Sequence, residues 1–226
     1  MGLYKYMEPV NMPRGTHYGN SFLILPSKKT GRNCTAFSNL EFEHLLTLEM
    51  DPQVEYFCEQ PLKTTVVFGG SKKETVFDCW VLFRDGREEF REVKYSADME
   101  SSTDKGRRCR EQVAAQKMWC LQNGFDYRLT TDKEIQRGEF YIRNLSFLAA
   151  KARRFPEPDK DADRYIRAYL RDTGKATVGM LDSSGRFERL RTLDYLAYLS
   201  YMGVVRFGKM EDECITNKTE VEYIGE

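Results

Sequence analysis

This sequence has little histidine, no closely paired cysteines and no net charge. Its two histidines, His17 and His44, are too few to predict histidine-based catalysis or a His-rich metal site. None of the six cysteines forms a Cys-x-x-Cys pair, which argues against a structural zinc site. Lys and Arg total 35, as do Asp and Glu, so overall charge gives no indication of nucleic-acid binding, although a local basic face is compatible with it.

The sequence also lacks a signal-peptide core and any apolar run of membrane-spanning length, so we expect a cytoplasmic protein with reduced thiols. Its 226 residues, 41% apolar and 13% aromatic, suit one large domain or a medium domain plus a small one.

The first two thirds of the chain predict a mixed α/β core with a mixed sheet. The order of predicted elements is α-β-β-β-α-β, and the central strands are apolar on both faces. The predicted elements are a helix over 38–50, strands over 63–68, 75–83 and 88–95, a helix over 107–123 closed by Gly124, and a strand over 125–130.

A charged, proline-containing segment over 153–160 marks the predicted domain boundary. We therefore divide the chain into an irregular N-terminal arm or cover (1–35), a core domain (36–152) and a C-terminal domain (153–226). In the last, helices over 162–171, 176–181 and 190–202 precede short strands over 204–207 and 221–224. Helices followed by a small hairpin predict a winged-helix-like module.

Three charged residues lie in the two strands predicted over 75–83 and 88–95. Asp78 lies inside an apolar run, and Glu92 and Lys94 lie two positions apart, on one face of their strand. A charge inside a buried strand is costly unless it is paired or holds a metal. Asp followed by Glu-x-Lys on the next strand is the pattern of metal-dependent nucleases, and we interpret the chain as a DNA endonuclease.

In this interpretation Asp78, Glu92 and the backbone carbonyl of Val93 hold a hard divalent cation, Mg²⁺ with Mn²⁺ as a substitute. Lys94 orients the attacking water or stabilises charge on the phosphate. The alternative is a structural salt bridge between Lys94 and either acid.

The metal site imposes a condition on the turn at Asp85-Gly86. A strict two-residue turn would place Asp78 opposite Val93 and direct it away from Glu92. A metal site therefore predicts a loop of three or five residues, or a bulge.

Glu41 is a further candidate, with two interpretations. Ser38-x-x-Glu41 fits a capping box, and a carboxylate on this helix is also suited to reach a second metal ion.

Three arginines are candidate DNA contacts. Arg107, Arg108 and Arg110 make the first turn of the predicted helix over 107–123 basic, in conflict with the helix dipole, and a nearby phosphate would relieve this. A solvated charged face is the alternative.

Together these residues resemble the TnsA family, the endonuclease subunit of heteromeric (TnsABC-type) cut-and-paste transposases. The resemblance covers residues 30–150 well and is weaker beyond. It is carried by Ser38-Asn-Leu-Glu41, Leu48–Pro52, Val54, Glu59-Gln-Pro61, Phe77-Asp78, Glu92-Val-Lys94, Thr131–Ile135 and Arg143-Asn-Leu145.

The resemblance implies a restriction-endonuclease-like PD-(D/E)xK core with catalytic groups at Glu41, Asp78 and Lys94. Glu92 stands where some family members carry Gln. It also implies nicking of the 5′ transposon ends, while a TnsB-like DDE transposase with an RNase H-like domain cuts the 3′ ends. A TnsC-like AAA+ ATPase regulator is the third partner. The C-terminal domain is expected to contact this regulator or DNA, and the bacterial nucleoid is the expected place of action.

Two alternatives stay open from the sequence. One is a stand-alone restriction-like or phage DNA-processing nuclease. The other is a non-catalytic DNA-binding or assembly adaptor in which the acids and the lysine form structural salt bridges.

Overall fold

The computed structural model describes residues 4–11, 22–68, 70–155, 160–185 and 191–225. Parts of the predicted arm (1–3 and 12–21), the Gly69 position of a predicted turn, residues 156–159 of the predicted boundary and the predicted helix start at Leu190 lie outside the described residues.

The chain divides into two compact units, one of residues 1–48 and 53–135, the other of 49–52 and 136–226. This grouping differs from the predicted division after residue 152, because the segment 136–152 belongs with the C-terminal unit. The functional ranges 1–35, 36–152 and 153–226 stay a prediction.

The first unit is built around a mixed four-stranded sheet. Its elements are β1 (Leu23–Pro26), β2 (Asn33–Ala36), α1 (Asn39–Met50, whose last two residues belong to the second unit), β3 (Val54–Glu59), β4 (Lys63–Phe68), β5 (Ser71–Val76), β6 (Cys79–Phe83), β7 (Glu88–Lys94), α2 (Ser96–Glu100), α3 (Asp104–Asn123), β8 (Asp126–Thr131) and α4 (Asp132–Ile135). The sheet order is β3-β6-β7-β8, with β7 and β8 parallel and the other pairs antiparallel. The mixed α/β core predicted from the sequence is confirmed.

Helices cover both faces of the central strand β7. Arg91 contacts His44 of α1, whereas the next residue, Glu92, contacts Gln116 of α3. Because successive strand residues point to opposite faces, α1 and α3 lie on opposite sides of the sheet. This explains why β7 is buried at five consecutive positions, which would be unusual for a strand with one solvated face.

An aromatic cluster fills the α3 side of the sheet. Phe77 and Phe90 lie with ring centroids 4.5 Å apart, and Trp80 is buried beside them. Trp119 of α3 contacts both phenylalanines. Packing of this kind stabilises the end of the sheet near Asp78, since each large ring removes much apolar surface from water.

Two predictions for this unit are wrong. The segment 1–35 is not irregular throughout, because β1 and β2 form an antiparallel hairpin within it. The predicted strand over 75–83 is two strands in different sheets, since β5 pairs with β4 while β6 joins β3 and β7. Residues 77 and 78 form the break between them, so Asp78 is not inside a strand.

The second unit contains four complete helices and a three-stranded sheet within its described residues. Its elements are α5 (Tyr141–Arg154), α6 (Lys160–Thr173), β9 (Lys175–Thr177), α7 (Val178–Asp182), α8 (Arg191–Tyr201), β10 (Val205–Phe207) and β11 (Glu220–Tyr223). The sheet order is β10-β11-β9, antiparallel throughout. Residues 49–52 add the end of α1 to this unit.

The predicted helices 162–171 and 190–202 and the two C-terminal strands are close to the observed α6, α8, β10 and β11. The predicted helix over 176–181 is wrong at its start, where Lys175–Thr177 is an edge strand and Thr177 then caps α7 through Met180 N. The long helix α5 was not predicted.

Among the described residues, no helix has the length and apolarity that crossing a membrane requires.

Candidate active site

Asp78 and Glu92 face each other across two neighbouring strands. The β6–β7 register pairs Cys79 with Arg91, so one step further places Asp78 opposite Glu92. The turn is a three-residue loop, with Phe83 N bonded to Arg87 O at 2.9 Å and Gly86 at φ 86°. The loop length that a metal site requires is therefore confirmed.

Asp78 lies in the break before β6, and its side chain replaces a backbone carbonyl as the acceptor of one hydrogen bond of the sheet. Its Oδ2 accepts a hydrogen bond from Val93 N at 2.8 Å. β6 begins only at Cys79, so the Asp78 carboxylate, rather than a strand carbonyl, satisfies this amide. The bond fixes the carboxylate beside β7 while 20% of the side chain stays exposed, which leaves room for a ligand.

Lys94 is bonded to Glu92 and lies close to Asp78. Its Nζ lies 2.5 Å from Glu92 Oε1 and 3.8 Å from Asp78 Oδ2. Burial alone would lower the pKa of Lys94, but the two carboxylates outweigh that effect and raise it. Lys94 is thus a cation held at the two carboxylates, and the salt bridge considered from the sequence is present.

Two glutamines of α3, separated by one helical turn, hold the two oxygens of Glu92. Gln112 Nε2 donates to Glu92 Oε1 and Gln116 Nε2 donates to Oε2, each at 2.9 Å. The Tyr127 hydroxyl donates to Gln116 Oε1 at 3.1 Å and fixes the orientation of that amide. Sequence reasoning assigned these glutamines no role, although their i, i+4 spacing was the feature that could have indicated a shared target.

Negative charge is concentrated here. Glu92 is fully buried, and its burial, followed by the charge of Asp78, raises its pKa, although Lys94 and Gln116 act in the opposite direction. Burial and then Asp78 also raise the pKa of Glu41. The electrostatic influence of Asp78 thus reaches all the predicted acids of the site, and a bound cation would relieve the repulsion.

Glu41 forms the hydrogen bonds of a helix start. Ser38 Oγ donates to Glu41 Oε1 at 3.0 Å and accepts from Glu41 N at 3.2 Å, while Phe37 N donates to Oε2 at 3.0 Å. Ser38 therefore caps the helix as predicted, whereas the Glu41 carboxylate binds Phe37 N and Ser38 Oγ rather than the Ser38 amide of a full capping box. A role of Glu41 at a second metal ion stays a prediction.

The donor chemistry fits a magnesium ion held mainly by water. Within the part of the chain that the structure describes, no group of three or more His, Cys, Asp or Glu side chains is arranged to hold a metal. Magnesium is usually bound by one or two carboxylates and several waters, so Asp78 and Glu92 are a sufficient protein contribution. The Val93 carbonyl as a further ligand stays a prediction.

The position of Arg107, Arg108 and Arg110 within α3 differs from the prediction. The helix begins at Asp104, with Thr103 as its N-cap, so its first turn contains an acidic residue and Arg107 lies beyond it. The predicted conflict between a basic first turn and the helix dipole is therefore absent. That conflict was the reason to expect a phosphate near this helix start, so the reason no longer applies. Arg107 pairs with Asp104 at 3.1 Å and Glu111 at 2.8 Å.

The other two arginines lie nearby. Arg110 Nη1 donates to the carbonyl oxygens of Met99 and Ser101 at 2.9 and 2.6 Å. Arg108 lines a surface cleft of about 450 Å³ together with Lys73 and Gln112. A DNA contact by Arg107, Arg108 or Arg110 stays a prediction.

The fold and this site define a mixed α/β domain in which two carboxylates and a lysine meet at the open end of a hairpin, an arrangement compatible with an endonuclease domain. Residues 51–132 match the family model described as TnsA-like endonuclease N terminal. The matched segment contains Asp78, Glu92 and Lys94, so the resemblance to the TnsA family is confirmed and supports a DNA endonuclease of the transposase type. No curated protein matches the chain.

Proposed function

We propose that this protein is the metal-dependent DNA endonuclease subunit of a heteromeric transposase and nicks the 5′ ends of the transposon. The observation that carries the proposal is the position of Asp78 opposite Glu92, with Lys94 at both, inside the segment that matches the TnsA-like endonuclease domain. The helices on both sides of the mixed sheet support a restriction-endonuclease-like core.

Asp78 and Glu92 would hold the Mg²⁺ ion, for which Mn²⁺ would substitute. When bound, the ion supplies Lewis-acid stabilisation of phosphate charge and a water of lowered pKa. Lys94, as a fixed cation, would position the attacking water or stabilise charge on the phosphate oxygens. Gln112 and Gln116 would keep Glu92 oriented.

The C-terminal unit would contact the partners. Its order α6-β9-α7-α8-β10-β11 and its three-stranded antiparallel sheet support a winged-helix-like arrangement. In that arrangement α8 would be the helix that usually reads DNA, yet it is buried at Thr192, Tyr195, Leu196, Ala197 and Leu199. Base reading by α8 is therefore not part of the proposal, and the partners that this unit would contact are a TnsB-like DDE transposase and a TnsC-like AAA+ ATPase.

A strand-resolved cleavage assay on transposon-end DNA with Mg²⁺ tests the proposal. It compares wild type, Asp78→Asn and Lys94→Ala, each with and without the partner transposase. Asp85→Asn is the matched control, since this acid lies on the exposed turn of the same hairpin. We expect nicking of the 5′ strand to need the partner, to be lost in Asp78→Asn and Lys94→Ala, and to be retained in Asp85→Asn.

The other outcomes decide between the alternatives. Cutting without the partner would favour a stand-alone nuclease. If no reaction shows cutting, and the variants bind DNA or the partner as well as the wild-type protein does, the protein is a non-catalytic adaptor. Normal cutting by Asp78→Asn would show that the site lies elsewhere.

A further inference from the structure

Gln60, Asp78 and Glu92 occupy facing positions on three neighbouring segments of the sheet. β3 and β6 pair Glu59 with Cys79, so the next step places Gln60 opposite Asp78, where Gln60 N donates to the Asp78 carbonyl oxygen at 3.0 Å. Asp78 in turn stands opposite Glu92. The backbone positions of Gln60, Asp78 and Glu92 are therefore aligned across the sheet, each roughly 5 Å from the next.

Gln60 has two features that packing does not explain. It is only 5% exposed, and its side-chain oxygen Oε1 is buried without a hydrogen-bond partner. Its φ of 38° lies in the left-handed region, which non-glycine residues seldom adopt. Buried polar atoms are almost always paired in native proteins, and strained residues concentrate at functional sites.

The backbone around Gln60 enforces this conformation from both sides. Its N–H is bonded to Asp78, and its carbonyl oxygen accepts from Val10 N at 2.8 Å. The peptide groups are therefore satisfied while the side-chain oxygen is not. A buried carbonyl-type oxygen in a row with two carboxylates requires a donor, and the waters around a magnesium ion are donors of this kind.

We propose that Gln60 is a further residue of this site, whose Oε1 accepts a hydrogen bond from a water of the divalent cation held by Asp78 and Glu92. The proposal rests on the proposed function, because it requires the cation. Gln60 would act through that water and so orient the hydrated ion.

Calorimetric titration of the full-length protein with Mg²⁺, without DNA, tests this role. Gln60→Met keeps the length and apolar volume of the side chain but removes the oxygen, and should weaken Mg²⁺ binding by about 10–100-fold. Gln60→Glu keeps an oxygen acceptor at the same reach and should retain Mg²⁺ binding.

Thr130→Val is the matched control. Thr130 is also buried with an unpartnered side-chain oxygen, but it pairs with Val93 and so lies on the opposite face from Glu92. Removing this oxygen should leave Mg²⁺ affinity unchanged. Thermal unfolding in EDTA verifies that each variant is folded, and Gln60→Gly, which accepts the left-handed conformation, replaces Gln60→Met if the latter does not fold.

The outcomes separate this proposal from the proposed function. Equal Mg²⁺ affinities for wild type, Gln60→Met and Thr130→Val would overturn the role of Gln60, even if the protein cuts DNA. A wild type that binds Mg²⁺ but never nicks DNA would overturn the function alone, and the titration would still decide the role of Gln60. A wild type that binds no Mg²⁺ would overturn both.

Discussion

Asp78 and Glu92 face each other because a three-residue loop, rather than a two-residue turn, joins β6 to β7. Phe83 and Arg87 close that loop, and Gly86 supplies its left-handed residue. A slip of one residue would direct Asp78 and Glu92 to opposite faces.

Gly86→Ala should therefore destabilise the protein. At φ 86° an L-residue with a Cβ is strained, and we expect a loss of about 1 kcal/mol in the free energy of unfolding. Gly86→Asn is the matched variant, since Asn tolerates this region better and should lose less. Urea unfolding measures both, and equal losses would contradict the conformational explanation.

Gln116→Leu should lower both nicking and stability. It leaves Glu92 Oε2 and the Tyr127 hydroxyl without their partner, which costs about 1–3 kcal/mol, and releases Glu92, which should slow nicking by about 10–100-fold. Tyr127→Phe removes only the remote hydroxyl and should have a smaller effect on nicking. The prediction fails if Gln116→Leu nicks DNA as fast as wild type.

The buried ion pair of Arg32 and Glu59 should be important for stability. Its two bonds are 2.6 and 2.7 Å long, and the Glu59 side chain is 1% exposed. Arg32→Met should cost about 3 kcal/mol because it leaves a buried carboxylate unpaired. Lys63→Met breaks the exposed pair with Glu74 and should cost less than about 1 kcal/mol. Comparable losses in urea unfolding would rule out this explanation.

Stability should decrease below pH 6.5 because of His44. Burial, and next the charge of Arg91, hold the pKa of His44 well below its ordinary 6.5, so the folded protein keeps it neutral while the unfolded chain takes up a proton. The free energy of unfolding should then fall by up to about 1.4 kcal/mol per pH unit below 6.5 and be independent of His44 above it. His44→Phe should show a flatter profile between pH 6.5 and 5.5 in urea unfolding, and identical slopes would contradict this.

Asn144 should hold the segment before β11 in the second unit. Its Nδ2 donates to the carbonyl oxygens of Met210 and Glu213 at 2.9 and 2.7 Å, and its Oδ1 accepts from Ile215 N at 3.1 Å. Asn144→Ala should lower stability by about 1–3 kcal/mol and speed proteolysis within 208–219. The exposed Asn123→Ala, which breaks one local bond, serves as the control. Unchanged proteolysis would show that the segment is held by other contacts.

Local sequence patterns predicted several elements well. Ser38-x-x-Glu41 located the start of α1, and Gly124 located the end of α3, since caps depend on the backbone of one or two turns. The start of α3 was predicted three residues late because the Thr103 cap was overlooked, and this error produced the apparent basic first turn.

The strand break at Asp78 could not be located from the sequence. In the sequence, 76–83 is one apolar run interrupted only by Asp78. It is divided in the structure because β5 pairs with β4, whereas β6 pairs with β3 and β7. Such pairing depends on residues far apart in the chain, which local periodicity does not contain.

The sequence by itself determined which groups are available: the carboxylates of Asp78 and Glu92, the Lys94 cation two positions on, and a turn whose glycine permits a left-handed residue. Only the tertiary structure decided that these groups meet, that Gln112 and Gln116 hold Glu92, and that Gln60 stands in their row with an unpaired oxygen. The physical reason is that residue type and strand alternation are local properties, whereas strand register, burial and helix packing are set by contacts between distant segments.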